Sequence, residues 1–311
     1  MKSLAVASRS FSKNSDLRRQ VLQLYPDATF NDEGASLEGD SLVEFLSGHE
    51  KAILALEVID ESILSRLPDL QVIGKYGVGL DMIDLDAMHK YGVRLGWTGG
   101  VNRRSVSELV VSFAIYLLHR VSLANNEVKR GHWYQVQGRQ LTKKTFGIIG
   151  CGNIGKDVVK LLEPYNCKVL VNDILHDEDF YRQNNLSAVS LDEIIETSDV
   201  ISLHVPLNKS TKNLINEQLI KRLKKDAIFI NIARGGLVDE VALCKSLING
   251  SIGGAALDVF AIEPPKNCDI ANLDNVIVTP HIGGSTHEAI FAMGMAAIEG
   301  LNTNYDALHF K

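Results

Sequence analysis

The stretch Gly147-Ile-Ile-Gly-Cys-Gly-Asn-Ile-Gly155 decides how this chain folds. Gly150, Gly152 and Gly155 stand at G-x-G-x-x-G spacing, and the apolar residues Phe146, Ile148 and Ile149 surround the approach to them. Beyond them Ile154, Val158, Leu161, Leu162 and Tyr165 recur at helical intervals, so the segment reads as strand, tight turn and helix. In that setting the first glycine permits the turn and the second admits a phosphate close to the backbone. The third lets helix and strand pack, and the helix N-terminus stabilises the anion. A further strand, Lys168-Val-Leu-Val-Asn172, leads into Asp173. A carboxylate there can accept both ribose hydroxyls of NAD and repels the extra phosphate of NADP, so NAD is the expected cofactor. A glycine turn in an ordinary βαβ unit needs no such acid.

Working outward, six short apolar strands recur from Phe146 onward, around Gly147–Ile149, Lys168–Asn172, Val200–His204, Ala227–Asn231, Gly254–Asp258 and Val276–Thr279. Helical stretches separate them, which is the pattern of a doubly wound parallel sheet. Before them a second set alternates in the same way: Leu4–Ala7, Ala52–Leu56, Gln71–Lys75 and Val93–Trp97. The expected fold class is therefore α/β, with a Rossmann dinucleotide-binding domain over residues 100–285. A smaller, flavodoxin-like substrate domain takes residues 1–99 and 286–311. Ser105–Val121 reads as a long helix apolar on more than one face, expected as connector and dimer contact, and a last helix, about Thr286–Leu301, as a return to the smaller domain.

Composition narrows the partners. The 311 residues are 45% hydrophobic and 23% charged with a net charge of −6, and the basic residues are spread along the chain. Neither nucleic acid nor an anionic membrane is expected as a partner. No apolar run approaches the roughly 20 residues of a membrane span, and no signal-peptide core is complete near the N-terminus, so a cytoplasmic location is expected. Cys151, Cys167, Cys244 and Cys268 show no C-x-x-C spacing and are expected as reduced thiols, with no metal site.

Several polar residues fall just after strand ends, where ligands bind in such sheets. Arg234 could pair with a substrate carboxylate through its fork and polarise the adjacent carbonyl. His281 could donate the proton a ketone needs during reduction, and Glu263 could hold that histidine's tautomer and favour its protonated form. Each has a plain structural reading as a cap, a solvated turn or a core histidine; their joint placement favours catalysis.

Ile230-Asn-Ile-Ala-Arg-Gly-Gly-Leu-Val-Asp-Glu240, then Leu257-Asp-Val-Phe-Ala-Ile-Glu-Pro-Pro265, then Thr279-Pro-His-Ile-Gly-Gly284 resemble the D-isomer-specific 2-hydroxyacid dehydrogenase family. Lys75-Tyr-Gly-Val-Gly-Leu-Asp-Met-Ile-Asp84, the glycine turn and His204-Val-Pro-Leu207 extend the resemblance over nearly the whole chain. It implies that Arg234 orients a 2-keto acid, that His281 is the acid/base and that Glu263 is its partner. Cofactor contacts are implied at Asn153, Ile154, Asp173, Val205, Ile232, Ala233, Asp258, Ile282, Gly283 and Gly284, with Val78 on the nicotinamide side. Amides of Val78 and Gly79, in the loop opened by Gly77, would hold the substrate carboxylate.

Within the family the chain is most similar to short phosphoglycerate dehydrogenase-like members. Lys75 aligns with a basic position there, so 3-phosphoglycerate is the leading expected substrate, opposed by the negative charge of Glu57. A glyoxylate or hydroxypyruvate reductase and an NAD(H)-sensing corepressor-like protein are the alternatives. A homodimer is expected, as is the absence of a C-terminal regulatory domain and of feedback inhibition through one.

Overall fold

The structure is a computed structural model that describes residues 2–265 and 269–311. The chain divides into two compact units, Met1–Asn102 with His287–Lys311, and Arg103–Thr286. All pairings between strands in both units are parallel.

In the first unit β1 (Lys2–Val6), β2 (Thr29–Phe30), β3 (His49–Leu54), β4 (Val72–Lys75) and β5 (Arg94–Gly96) form a sheet in the order β2-β1-β3-β4-β5. Successive residues of a strand face opposite ways, and both faces are covered. Leu4, Val6 and Ile53 pack with Phe11, Leu17, Val21 and Ile298 on one side. Ala5, Ala52, Leu54, Ile73 and Leu95 pack with Leu42, Leu46 and Ile63 on the other. The helix His287–Gly300 lies against β4 so closely that a Cβ on Gly74 would stand 2.3 Å from the Ala297 carbonyl oxygen.

In the second unit β6 (Thr145–Ile149), β7 (Lys168–Asn172), β8 (Ser187–Ala188), β9 (Val200–Leu203), β10 (Ile228–Asn231), β11 (Gly254–Leu257) and β12 (Val276–Val278) are ordered β12-β11-β10-β9-β6-β7-β8. Phe146, Ile148, Val171, Ile228 and Ile230 face the helices Arg103–Leu118 and Asn153–Leu162. Ile149, Leu170, Ile201, Leu203, Phe229 and Leu257 face the opposite layer. From β6 the chain winds outward through β7 and β8, then returns to place β9 on the other side of β6. The reversal puts the topological switch point between β6 and β9, where open α/β sheets bind ligands beyond the strands' C-terminal ends.

The sheets contain two strands that hydropathy did not disclose. β2 and β8 are two residues long, too short for a period to register, and β8 is exposed. The helix expected over Ser105–Val121 runs from Arg103 to Leu118 and breaks at Arg120, whose φ of 55° is left-handed. Its apolar faces serve the second unit's own core, where Val110, Ala114 and Leu118 are buried. A separate helix follows, Val121–Lys129, with no buried residue.

Candidate active site

Because the second sheet is wholly parallel, its strands' C-terminal ends share one edge. Read along that edge, β12 leads to His281, Ile282, Gly283 and Gly284; β11 to Asp258; β10 to Ile232, Ala233 and Arg234; β9 to Val205; β6 to the glycine turn; β7 to Asp173. Five inter-strand steps of about 4.8 Å separate the first from the last, about 24 Å in all.

At the β6 end, Gly150 has a φ of 96°, and a Cβ there would come within 2.8 Å of the His204 carbonyl oxygen. A Cβ on Gly155 would strike the Gly150 oxygen at 2.3 Å, whereas one on Gly152 would meet nothing within 4 Å. Gly152 is also the N-cap of Asn153–Leu162, and no side chain caps that helix's first turn. Such a cradle fits a pyrophosphate. Asp173 stands beside it: Oδ2 accepts from the Cys151 amide at 2.6 Å and Oδ1 from Leu175 at 2.8 Å. Each oxygen keeps a second lone-pair direction for a ribose hydroxyl. Burial, with Asp173 adding to it, pushes the Cys151 thiol up to about 11, so it is a packed neutral thiol. Among the described residues Cys151 and Cys167 are unbridged; Cys268 lies outside them.

His204, after β9, is partly exposed as a residue, yet both ring nitrogens are shielded and have no hydrogen-bond partner among the described residues. Burial pushes the imidazole down to about 3. The folded value lies below the unfolded one, near 6.5, so an unfolding chain takes up a proton in between. Stability from this group is present above about pH 6.5 and is lost as pH falls toward 3. Replacing His204 by leucine should therefore flatten the acid side of the stability curve; melting temperatures from pH 7 to pH 4 that fall in parallel for both proteins would contradict this.

At the other end of the edge, Glu263 Oε2 lies 2.9 Å from His281 Nδ1, and Glu263 Oε1 accepts from the Phe260 amide at 3.0 Å. His281 has a left-handed φ of 55°, an unusual backbone for a side chain, which persists only where the surroundings impose it. Asp258 does so. Its backbone oxygen accepts from the His281 amide at 2.9 Å, and its buried carboxylate accepts from the Ile282 and Gly283 amides at 2.7 and 2.8 Å and from the Thr279 hydroxyl at 2.5 Å. With Nδ1 engaged by the carboxylate, Nε2 is the nitrogen able to exchange a proton with a ligand. A cavity of about 390 Å³ opens beside the pair, walled by Phe260, Pro264, Pro265, Val278 and Pro280.

Arg234 follows β10 on a turn held by Asn231, which is 1% exposed. Asn231 donates to the Arg234 carbonyl at 2.9 Å and accepts from the Ala233 amide at 3.1 Å. Sequence reading passed over Asn231 and Thr279; a polar residue closing an otherwise apolar buried strand was the available signal for the first.

The remaining expected residues belong to the first unit, after β4. Gly77 has a φ of 112°, and the Val78 carbonyl accepts from the Trp97 indole at 3.2 Å. Lys75 departs from expectation. It is 5% exposed, and its ammonium donates to the Ala55 carbonyl at 2.6 Å and the Tyr76 carbonyl at 3.2 Å, so it braces the loop from below instead of presenting a charge on its surface. Glu57 is fixed nearby, Oε2 accepting from the Ala55 amide at 2.6 Å.

A parallel sheet with a pyrophosphate cradle at its switch point and a histidine–carboxylate pair along the same edge defines a dinucleotide-dependent oxidoreductase. The model of the D-isomer specific 2-hydroxyacid dehydrogenase NAD binding domain matches residues 111–283, and the chain belongs to that family. It is an NAD-dependent D-2-hydroxyacid dehydrogenase. It is 38% identical to a glyoxylate reductase of Thermofilum pendens over 80% of this chain and 76% of that protein. Identity is 34% to a hydroxypyruvate reductase of Thermotoga maritima, over 85% and 87%. It is 36% to a D-3-phosphoglycerate dehydrogenase of Bacillus subtilis, over 74% of this chain but 44% of that protein. The structure of D-lactate dehydrogenase from Aquifex aeolicus, complexed with NAD and lactic acid, superposes with a TM-score of 0.82 at 27% identity, covering 98% and 99%.

Proposed function

We propose that the chain reduces a small, unphosphorylated 2-keto acid of the glyoxylate or hydroxypyruvate class. NADH, when bound, supplies the reducing equivalent. Arg234 pairs with the substrate carboxylate and polarises its carbonyl, His281 delivers a proton from Nε2 to the carbonyl oxygen, and Glu263 holds the imidazole with Nδ1 engaged. The Val78 and Gly79 amides bind the carboxylate, and Asp173 selects NAD. The contacts of Val205, Ile232, Ala233, Asp258 and Ile282–Gly284 with the cofactor belong to the same proposal.

One observation carries the choice of substrate. The lysine expected to meet a distal phosphate is buried against two carbonyls, and the charge fixed next to it is the Glu57 carboxylate. A phosphate there would gain no ammonium contact and would meet a like charge. Relatives named for glyoxylate and hydroxypyruvate are also matched over most of their length. 3-Phosphoglycerate is the second reading, favoured by the likeness around Lys75–Met88 and by the Bacillus subtilis relative. With NADH and a panel of keto acids, kcat/KM for glyoxylate or hydroxypyruvate should exceed that for 3-phosphohydroxypyruvate at least about tenfold, or 1.4 kcal/mol. The reverse order would restore the phosphorylated acid.

A cytoplasmic homodimer is part of the same reading. Among the described residues no single helix is long and apolar enough to cross a membrane. The helix Val121–Lys129 buries none of its residues, and the exposed Val128, Trp133 and Tyr134 offer apolar surface to a second copy.

A further inference from the structure

Glu240 opens the helix Glu240–Ile248, whose N-cap Asp239 accepts from the Ala242 amide at 3.0 Å. That cap sets where the Glu240 backbone sits. Its side chain leaves the helix: Oε1 accepts from the Ala261 amide at 2.7 Å, two residues before Glu263. The preceding amide, that of Phe260, is held by Glu263 itself at 3.0 Å. Two neighbouring amides of one short segment are thus gripped by two carboxylates, and the second of these reaches on to His281.

We propose that Glu240 is a positioning residue for the Glu263–His281 pair, acting by pinning the backbone of the segment that carries Glu263. The inference rests on the acid/base reading of that pair given above. Gly235, one residue after Arg234, packs directly on the same segment, where a Cβ would stand 1.9 Å from the Phe260 carbonyl carbon, so the segment bound by Glu240 also abuts the arginine turn. Glu240 is partly buried, and its carboxyl is raised above the usual range, first by burial and then by the charge of Glu263, while the Ala261 amide opposes the rise. Keeping a carboxyl in such surroundings has a cost, and the bond to Ala261 is what it obtains there.

The test is kinetic and uses the full chain with NADH and its best keto acid. Glu240→Ala should lower kcat roughly tenfold, with the NADH dissociation constant, read by fluorescence titration, changed less than about twofold. Glu240→Gln keeps an oxygen at the same reach and should restore kcat to within about threefold of the parent. In a Glu263→Gln background Glu240→Ala should add less than about twofold, because its effect passes through Glu263. Equal losses in both backgrounds, or a Glu240→Gln variant as slow as Glu240→Ala, would overturn the inference. Should Glu240→Ala not fold, Glu240→Asp, one methylene too short to reach Ala261, replaces it in the same cycle. His281→Ala measured alongside separates the two levels: if it keeps turnover, the acid/base reading falls and this inference with it. If it loses turnover while the Glu240 effects are additive, this inference alone fails.

Discussion

His281→Ala is expected to lower kcat for keto-acid reduction by about 10²- to 10⁴-fold while leaving NADH affinity nearly unchanged. The loss is confined to the proton step because the ring is held from the side away from its reactive nitrogen: Nδ1 meets Glu263 at 2.9 Å, and Nε2 is left for the carbonyl oxygen. Cofactor affinity should survive. The amides of Ile282 and Gly283 are tied to the Asp258 carboxylate, and that link does not depend on the imidazole. Alanine at a φ of 55° carries some backbone strain of its own, so His281→Asn, a residue tolerant of that conformation, serves as the matched control and should be nearly as slow. Steady-state kinetics with a stopped-flow measurement of NADH binding would decide the matter. A variant keeping more than about a tenth of the parental kcat would remove His281 from the acid/base role.

Much of this arrangement could be read before any coordinates, because its causes are local. The strands declare themselves through apolar runs covered on both faces, as in Phe146–Ile149 and Ile228–Ile230, and the tight turn after β6 through glycine spacing. Side-chain destinations are different. Lys75 is a lysine at a loop edge in sequence, and only the fold brings Ala55, 20 residues earlier, to where its carbonyl captures the ammonium. Glu240 and Ala261 are 21 residues apart, a separation that follows from β10 and β11 being neighbours and from no periodicity in the chain. The helix expected as connector and dimer contact shows a related limit. Apolar faces all round show that a helix is buried, without telling which core buries it, and here it is the core of its own unit.

Gly235→Ala should be the most damaging single methyl that can be added to the second unit's edge. The Cβ would stand 1.9 Å from the Phe260 carbonyl carbon and 2.1 Å from the Ala261 nitrogen. Both are backbone atoms, so no rotamer change relieves the clash, and the two segments must move apart. One carries Arg234, its turn closed by Asn231; the other carries Glu263, its amides held by Glu240 and by Glu263 itself. Separating them by even about 1 Å displaces Arg234 from the histidine pair, a misplacement that costs on the order of 10²-fold in rate. Forcing a methyl into a closely packed site also costs about 1–3 kcal/mol of stability, and contact with rigid backbone puts this one at the upper end. Gly236→Ala provides the contrast: its Cβ would meet the Leu207 side chain at 3.0 Å, and a leucine can turn away. The expected result is a Gly235→Ala protein that melts several degrees lower and is about a hundredfold slower, beside a Gly236→Ala protein close to the parent in both. Thermal melts and kcat on the same preparations measure this. Equal behaviour of the two variants would show that Arg234 and the Glu263 segment are not held in register by the contact at Gly235.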